Sequence, residues 1–158
     1  MATIGSARAE PHAECVAPGG GEHLQWADKG REFWIKVSGE ESGGALSVVE
    51  AAAGPGARVG LHVHDRDDEG YWVLEGDYRF TLDDQEVAAS PGSFVFIPRG
   101  TRHGWQLLSD RGRVLTLFTP AGFEELFRGI AAAKAAGGDT PEDWARLGAQ
   151  THTRWLEG

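Results

Sequence analysis

Gly56-Ala57-Arg58-Val59-Gly60-Leu61-His62-Val63-His64-Asp65-Arg66-Asp67-Asp68-Glu69-Gly70-Tyr71-Trp72-Val73-Leu74-Glu75-Gly76 decides how this chain is read, together with Gly92-Ser93-Phe94-Val95-Phe96-Ile97-Pro98-Arg99-Gly100-Thr101-Arg102-His103. Residues two apart on a strand project from the same face, so His62 and His64 can aim both imidazoles at one point. The polar bend Asp65-Arg66-Asp67-Asp68 follows, and beyond it Glu69 can return a carboxylate to that point at the start of the Tyr71 strand. His103, after the Pro98-Arg99-Gly100 turn, completes the set from a later strand. Three neutral imidazoles and one carboxylate make a borderline-hard set of donors. It suits one divalent transition metal ion (Fe, Mn, Co, Ni, Cu or Zn) and not a closed thiolate site.

The surrounding sequence is that of a turn-rich β protein. Its 158 residues include 23 glycines and 7 prolines, about 19% of the chain against a usual value of roughly 12%. Short apolar or alternating runs predict strands at Phe33–Val37, Ala45–Glu50, Tyr71–Glu75, Tyr78–Leu82, Ser93–Ile97, Trp105–Leu108 and Val114–Phe118. Turn signals such as Gly54-Pro55-Gly56, Gly76-Asp77, Asp83-Asp84 and Pro91-Gly92 separate them, at intervals that suit an antiparallel barrel or sandwich.

The spacing G-x5-H-x-H-x4-E-x6-G over Gly56–Gly76 and G-x5-P-x-G-x2-H over Gly92–His103 resembles the two signature motifs of the cupin superfamily. The resemblance is strong over residues 45–120. It implies an all-β jelly-roll barrel of antiparallel double-sheet form, with about six to eight strands and the metal near the wider mouth. The segment between the motifs, Asp77–Pro91, has 15 residues, the short version of small single-domain members. One position departs from the pattern: Leu107 stands where the second motif usually ends in asparagine. His103, Trp105 and Leu107 share strand parity, so an apolar, partly aromatic cavity is expected, with Trp105, Leu107 and Phe118 as candidate substrate contacts. The connection Thr119-Pro120-Ala121-Gly122-Phe123-Glu124-Glu125-Leu126-Phe127 is similar to one found in quercetin-dioxygenase-like cupins.

Outside the barrel the pattern changes. Residues 1–24 are polar and carry Gly19-Gly20-Gly21, which predicts a flexible arm ahead of a barrel over 25–120. Over 121–158 one or two C-terminal helices are expected. Phe123, Leu126, Phe127 and Ile130 recur at helical spacing within Ala121–Ala136, and Thr140-Pro141-Glu142 opens a second helix. These helices are expected to cover the open end or outside of the β unit.

A net charge of −9 argues against nucleic acid or an anionic membrane as partner, since phosphates would be repelled. Of that charge −7 comes from Asp65–Glu86, with nine acidic and two basic side chains. The single cysteine, Cys15, excludes an internal disulfide, and no apolar run approaches the roughly 18 residues of a membrane span. A cytoplasmic protein is expected, paired as a homodimer through edge strands and the N-terminal region.

The resemblance implies a metal-dependent dioxygenase acting on a small enol, phenolic or β-dicarbonyl substrate, with O2 as co-substrate and Glu69 taking the substrate proton. A non-oxidative isomerase, cyclase or lyase on the same site is the alternative, and a non-catalytic small-molecule-binding cupin the second. Because the histidines must be neutral to ligate, metal affinity is expected to fall as pH drops through the imidazole range.

Overall fold

The computed structural model describes residues 10–26 and 28–156. Residues 1–9 of the expected arm and 157–158 of the expected C-terminal extension lie outside the described residues, as does Ala27. Within them the chain runs β1 (Glu22–Gln25), β2 (Glu32–Val37), β3 (Ser47–Ala53), β4 (Arg58–His64), β5 (Asp68–Glu75), β6 (Tyr78–Leu82), β7 (Gln85–Ala89), β8 (Phe94–Ile97), β9 (His103–Leu107), β10 (Gly112–Thr119), α1 (Glu124–Ala135), α2 (Pro141–Gln150) and β11 (Thr153–Trp155). Two antiparallel sheets result, β1-β2-β3-β10-β5-β8 with six strands and β11-β4-β9-β6-β7 with five. This is the double-sheet jelly roll that the motifs predict.

Alternation along β5 and β8 shows how the sequence chooses a face. Tyr71, Val73, Val95 and Ile97 point into the core, while Trp72, Phe94 and Phe96 remain 50%, 54% and 60% exposed. Side chains alternate across a pleated strand, so large aromatics fall on both sides of the same sheet. Between β5 and β6 the chain reverses at Gly76, with φ of +84°; a Cβ there would lie 2.3 Å from the Arg111 carbonyl oxygen. Only glycine fits both demands.

The core has two parts. One cluster joins Tyr71, Val73, Tyr78, Phe80, Leu107 and Val114 between the sheets. The other gathers Trp26, Phe33, Phe118, Phe123, Leu126 and Ile130 under the helices. In α1, Leu126 and Ile130 face inward, and the buried Glu124 carboxylate accepts the backbone N–H groups of Gly39 and Gly122, both at 2.7 Å. α2 starts at a capping box: Thr140 Oγ1 accepts from Asp143 N at 3.2 Å, and Asp143 Oδ2 accepts from Thr140 N at 3.2 Å.

Three strands fall where the sequence predicts none. β1 occupies part of the expected flexible arm and pairs with β2, placing Leu24 opposite Phe33. The connecting turn holds Lys29 and Gly30 at φ of +47° and +64°, and buried Trp26 anchors the hairpin in the core. β7 pairs with β6 although its five residues, Gln85-Glu86-Val87-Ala88-Ala89, are mostly exposed. β11 adds a strand inside the extension expected to be purely helical, pairing Thr153 with His64 and Trp155 with His62. α1 begins at Glu124, three residues inside the expected start at Ala121. No described helix is long and apolar enough to cross a membrane.

Candidate metal centre and cavity

The two sheets meet at four buried side chains. β4 supplies His62 and His64, β9 supplies His103 directly opposite His62, and β5 brings Glu69 from the other sheet. Their donor atoms all lie within 4.8 Å of one another, and each residue is 1–2% exposed.

The loop between the histidine pair and Glu69 is held by arginines. Arg154 meets Asp65 at 2.7 and 2.8 Å, Arg66 Nε meets Asp67 at 3.1 Å, and Arg99 meets Asp68 at 3.0 Å through each of two nitrogens. Hydrogen bonds from Arg99 draw the Asp68 carboxyl down to about 2. The aspartates of this bend are thus paired, and Arg99 also fastens the turn that delivers His103. At the end of that turn Gly100 N donates to the His64 carbonyl at 2.8 Å.

Each imidazole has its outer nitrogen engaged. His62 Nδ1 donates to the Gly60 carbonyl and His103 Nδ1 to the Thr101 carbonyl, both at 2.8 Å. Carbonyl oxygens only accept, so the proton sits on Nδ1 and, in the neutral ring, Nε2 presents a lone pair. His64 Nδ1 lies 3.2 Å from Thr153 Oγ1, whose own proton is given to the Thr151 carbonyl at 3.3 Å. His103 Nε2 and His64 Nε2 stand 2.9 and 3.1 Å from the same oxygen, Glu69 Oε2, and His64 Nε2 is buried without a hydrogen-bond partner. Lone pairs converging at that distance repel unless a cation or proton lies among them. Three such nitrogens and one carboxylate fit a divalent transition metal, and the engaged Nδ1 atoms are the outer support that metal-binding histidines need.

Ionisation follows the same geometry. Burial, reinforced by His103, lowers His62 to about 3. Burial opposes charge on His103 as well, but the hydrogen bond and charge of Glu69 outweigh it and raise its pKa. Glu69 is pushed up by burial and pulled further down by His64 and His103, so its carboxyl lies well below the usual range. Burial and the Glu69 charge keep the Tyr71 hydroxyl protonated far above its ordinary range.

A cavity of about 180 Å³ opens beside this group, with His62 and Glu69 on its wall. Trp105 lines it. Leu107 and Phe118 do not. Leu107 keeps the predicted inward parity, but at the far end of β9 it fills the space against Gly76 and Gly112 and is 3% exposed. Phe118 is fully buried, stacked on Phe123 with ring centroids 4.5 Å apart, behind His64. Residues that the sequence reading missed supply the rest of the wall, including Arg31, Tyr71, Trp26, Trp144 and Trp155. Thr153 was also missed; the alternation of Thr153 with Trp155 was its only signal.

Residues 49–119 match the family described as Cupin domain. The chain carries a cupin domain. Over 94 residues it is 30% identical to quercetin 2,3-dioxygenase of Bacillus subtilis, a match covering 60% of this chain and 28% of that enzyme. The chain thus spans little more than a quarter of that relative's length. KdgF from Halomonas sp. superposes with a TM-score of 0.64 at 22% identity, covering 72% of this chain and 99% of that one, which shows the cupin fold. A structure from work on the DMSP lyases RdDddP and RnDddQII is 27% identical with a TM-score of 0.50, covering 58% of this chain and 48% of that one.

Proposed function

We propose that this cupin is a metal-dependent enzyme, in which His62, His64, Glu69 and His103 hold one divalent ion and a small enol, phenol or β-dicarbonyl compound reacts with dioxygen. The observation that carries the reading is the lone, buried His64 Nε2 aimed with two other imidazoles at one carboxylate beside a cavity. Such an ion supplies Lewis acidity toward a substrate oxygen and, if redox-active, an electron path to dioxygen. The likeness to quercetin 2,3-dioxygenase supports the oxidative version.

The protein's own contribution is orientation, exclusion of water and a proton acceptor. The Nδ1 hydrogen bonds fix the three rings. The aromatic wall keeps bulk water from the reacting oxygen. Glu69, on the cavity wall, can accept the proton released as the substrate becomes an anion. Size narrows the substrate: about 180 Å³ falls below the roughly 300–1,000 Å³ of sites for drug-sized ligands, which disfavours a flavonol.

That small volume, with the likeness to the DMSP lyase work, favours one second reading, a non-oxidative lyase, isomerase or cyclase that uses the same proton transfer. The deciding experiment loads metal-stripped protein separately with Fe, Mn, Co, Ni, Cu and Zn, and follows turnover and oxygen uptake with small enols, phenols and β-diketones. Oxygen uptake that depends on a redox-active metal is expected. Full turnover by the zinc form without oxygen would select the second reading. His62→Ala and His103→Ala should each abolish stoichiometric metal while the barrel stays folded; unchanged metal by elemental analysis would defeat the ligand assignment.

A further inference from the structure

Arg31, just before β2, is a cation built into the cavity wall whose guanidinium forms no ion pair among the described residues. Its Nη2 is tied to the Arg58 carbonyl, while its Nε is buried with no hydrogen-bond partner. Among the described residues neither Arg31 nor Arg58, which also lines the cavity, forms an ion pair. In a chain of net charge −9, the half-buried Arg31 and the exposed Arg58 are two arginines on a cavity wall whose carboxylate is Glu69. Burial lowers the Arg31 pKa, opposed by the charge of Asp28. A guanidinium stays charged regardless, so its desolvation remains uncompensated until an anion arrives.

A second donor on the same wall points the same way. Trp105 Nε1 is buried, lines the cavity and lacks a partner; an indole N–H can donate but never accept. Trp155 Nε1 is also unpartnered, but it faces Gly148 of α2, where a Cβ would lie 2.9 Å from it, so it is set aside. The wall therefore offers donors, one of them cationic, that suit a ligand rich in acceptor oxygens.

We propose that the substrate is a small carboxylate, its carboxylate group held by Arg31 while its enol or phenol oxygen faces the His62 and Glu69 wall. This rests on the reading of the metal centre given above. Arg31, His62 and Glu69 line one cavity of about 180 Å³, so a small substrate can meet both walls. Arginine suits the task because its planar fork can engage both oxygens of a carboxylate.

The test uses benzoate and its neutral isostere benzamide, read by quenching of tryptophan fluorescence, on the full chain with metal and after chelation. Wild type should bind benzoate at least about tenfold tighter than benzamide, the worth of one charge-assisted hydrogen bond. Arg31→Gln should erase that preference with or without metal and leave benzamide binding within about threefold, while Arg31→Lys keeps part of it. Equal affinity of the two probes for wild type, no saturable benzoate binding in the millimolar range, or a preference that survives Arg31→Gln would overturn the proposal. So would a preference that vanishes on chelation and ignores Arg31, since the carboxylate would then sit on the metal. If Arg31→Gln fails to fold, the wild-type preference and its decline with added salt still decide the matter. Failure of the metal reading is visible separately: wild type would take up no stoichiometric metal while the benzoate preference persisted.

Discussion

The two apolar clusters of this cupin come from different parts of the chain and meet at one cavity, to which they contribute unequally. The one around Phe80 lies wholly between Ala57 and Val114, within the matched domain, and its alternating strands close one end of the barrel. The other draws Trp26 and Phe33 from before that domain and Phe123, Leu126, Ile130 and Leu147 from after it. Most of its rings meet edge to face or tilted, with Trp26 to Phe33 centroids at 4.5 Å and Phe33 to Phe127 at 4.6 Å, while Phe118 stacks on Phe123. Trp26, Phe33, Phe127 and Leu126 also line the cavity, which Phe80 does not. The first cluster adds Tyr71, Tyr78 and Val114 to the same wall, while Phe80 and Val73 stay behind it as scaffold.

Truncating one residue from each cluster tests that division with the largest expected effect. Phe80 is fully buried against Tyr71, with ring centroids 5.2 Å apart, and Leu126 is 1% exposed. Phe80→Ala should cost about 3–5 kcal/mol and Leu126→Ala about 2–5 kcal/mol, measured by denaturant unfolding. Only Leu126→Ala should admit larger aromatic ligands, by removing part of the cavity wall. If both variants, or neither, widened the accepted ligand range, the division of labour would fall.

The same contrast explains what could be read in the sequence. His62, His64, Glu69 and His103 were legible because a two-residue strand period and fixed glycine and proline turns determine where they point. The inward parity of Trp105 and Leu107 was legible too, but parity does not tell how far along the barrel a side chain sits, and Leu107 lies in the closed end. β1 and β11 were illegible because each is short and owes its place to a distant part of the chain: for β1 the contact of adjoining Trp26 with Phe127, for β11 the edge of β4. Arg31 carried no local signal, since an arginine after a glycine turn is usually a surface residue. Its role depends on a cavity that exists only once both chain ends have packed.

A middling effect separates the three histidines. His62 and His103 give their Nδ1 protons to backbone carbonyls inside the matched domain, whereas His64 relies on a hydroxyl from the C-terminal strand. Thr153→Val keeps the shape and removes that acceptor, so zinc affinity should fall about tenfold, the low end for losing a metal-supporting hydrogen bond. Competition titration against a chelator measures it. An unchanged affinity would show that the tail strand supports the ring by packing alone.

The smallest effect lies at the start of α2, which leads into β11. Thr140 caps that helix reciprocally with Asp143, and at the other end of α2 Thr151 Oγ1 donates to the Leu147 carbonyl at 2.9 Å, two residues before Thr153. Thr140→Ala removes the side-chain acceptor from an exposed helix end and should cost about 1 kcal/mol. In a chain of this size the melting temperature should fall by about 2–4 °C. Amide exchange should quicken along α2 and β11 and remain slow in β5 and β6, because the cap belongs to the element built from the chain end. Faster exchange spread evenly over both sheets would mean that tail and barrel unfold as one unit, and the tail could not then tune His64 independently.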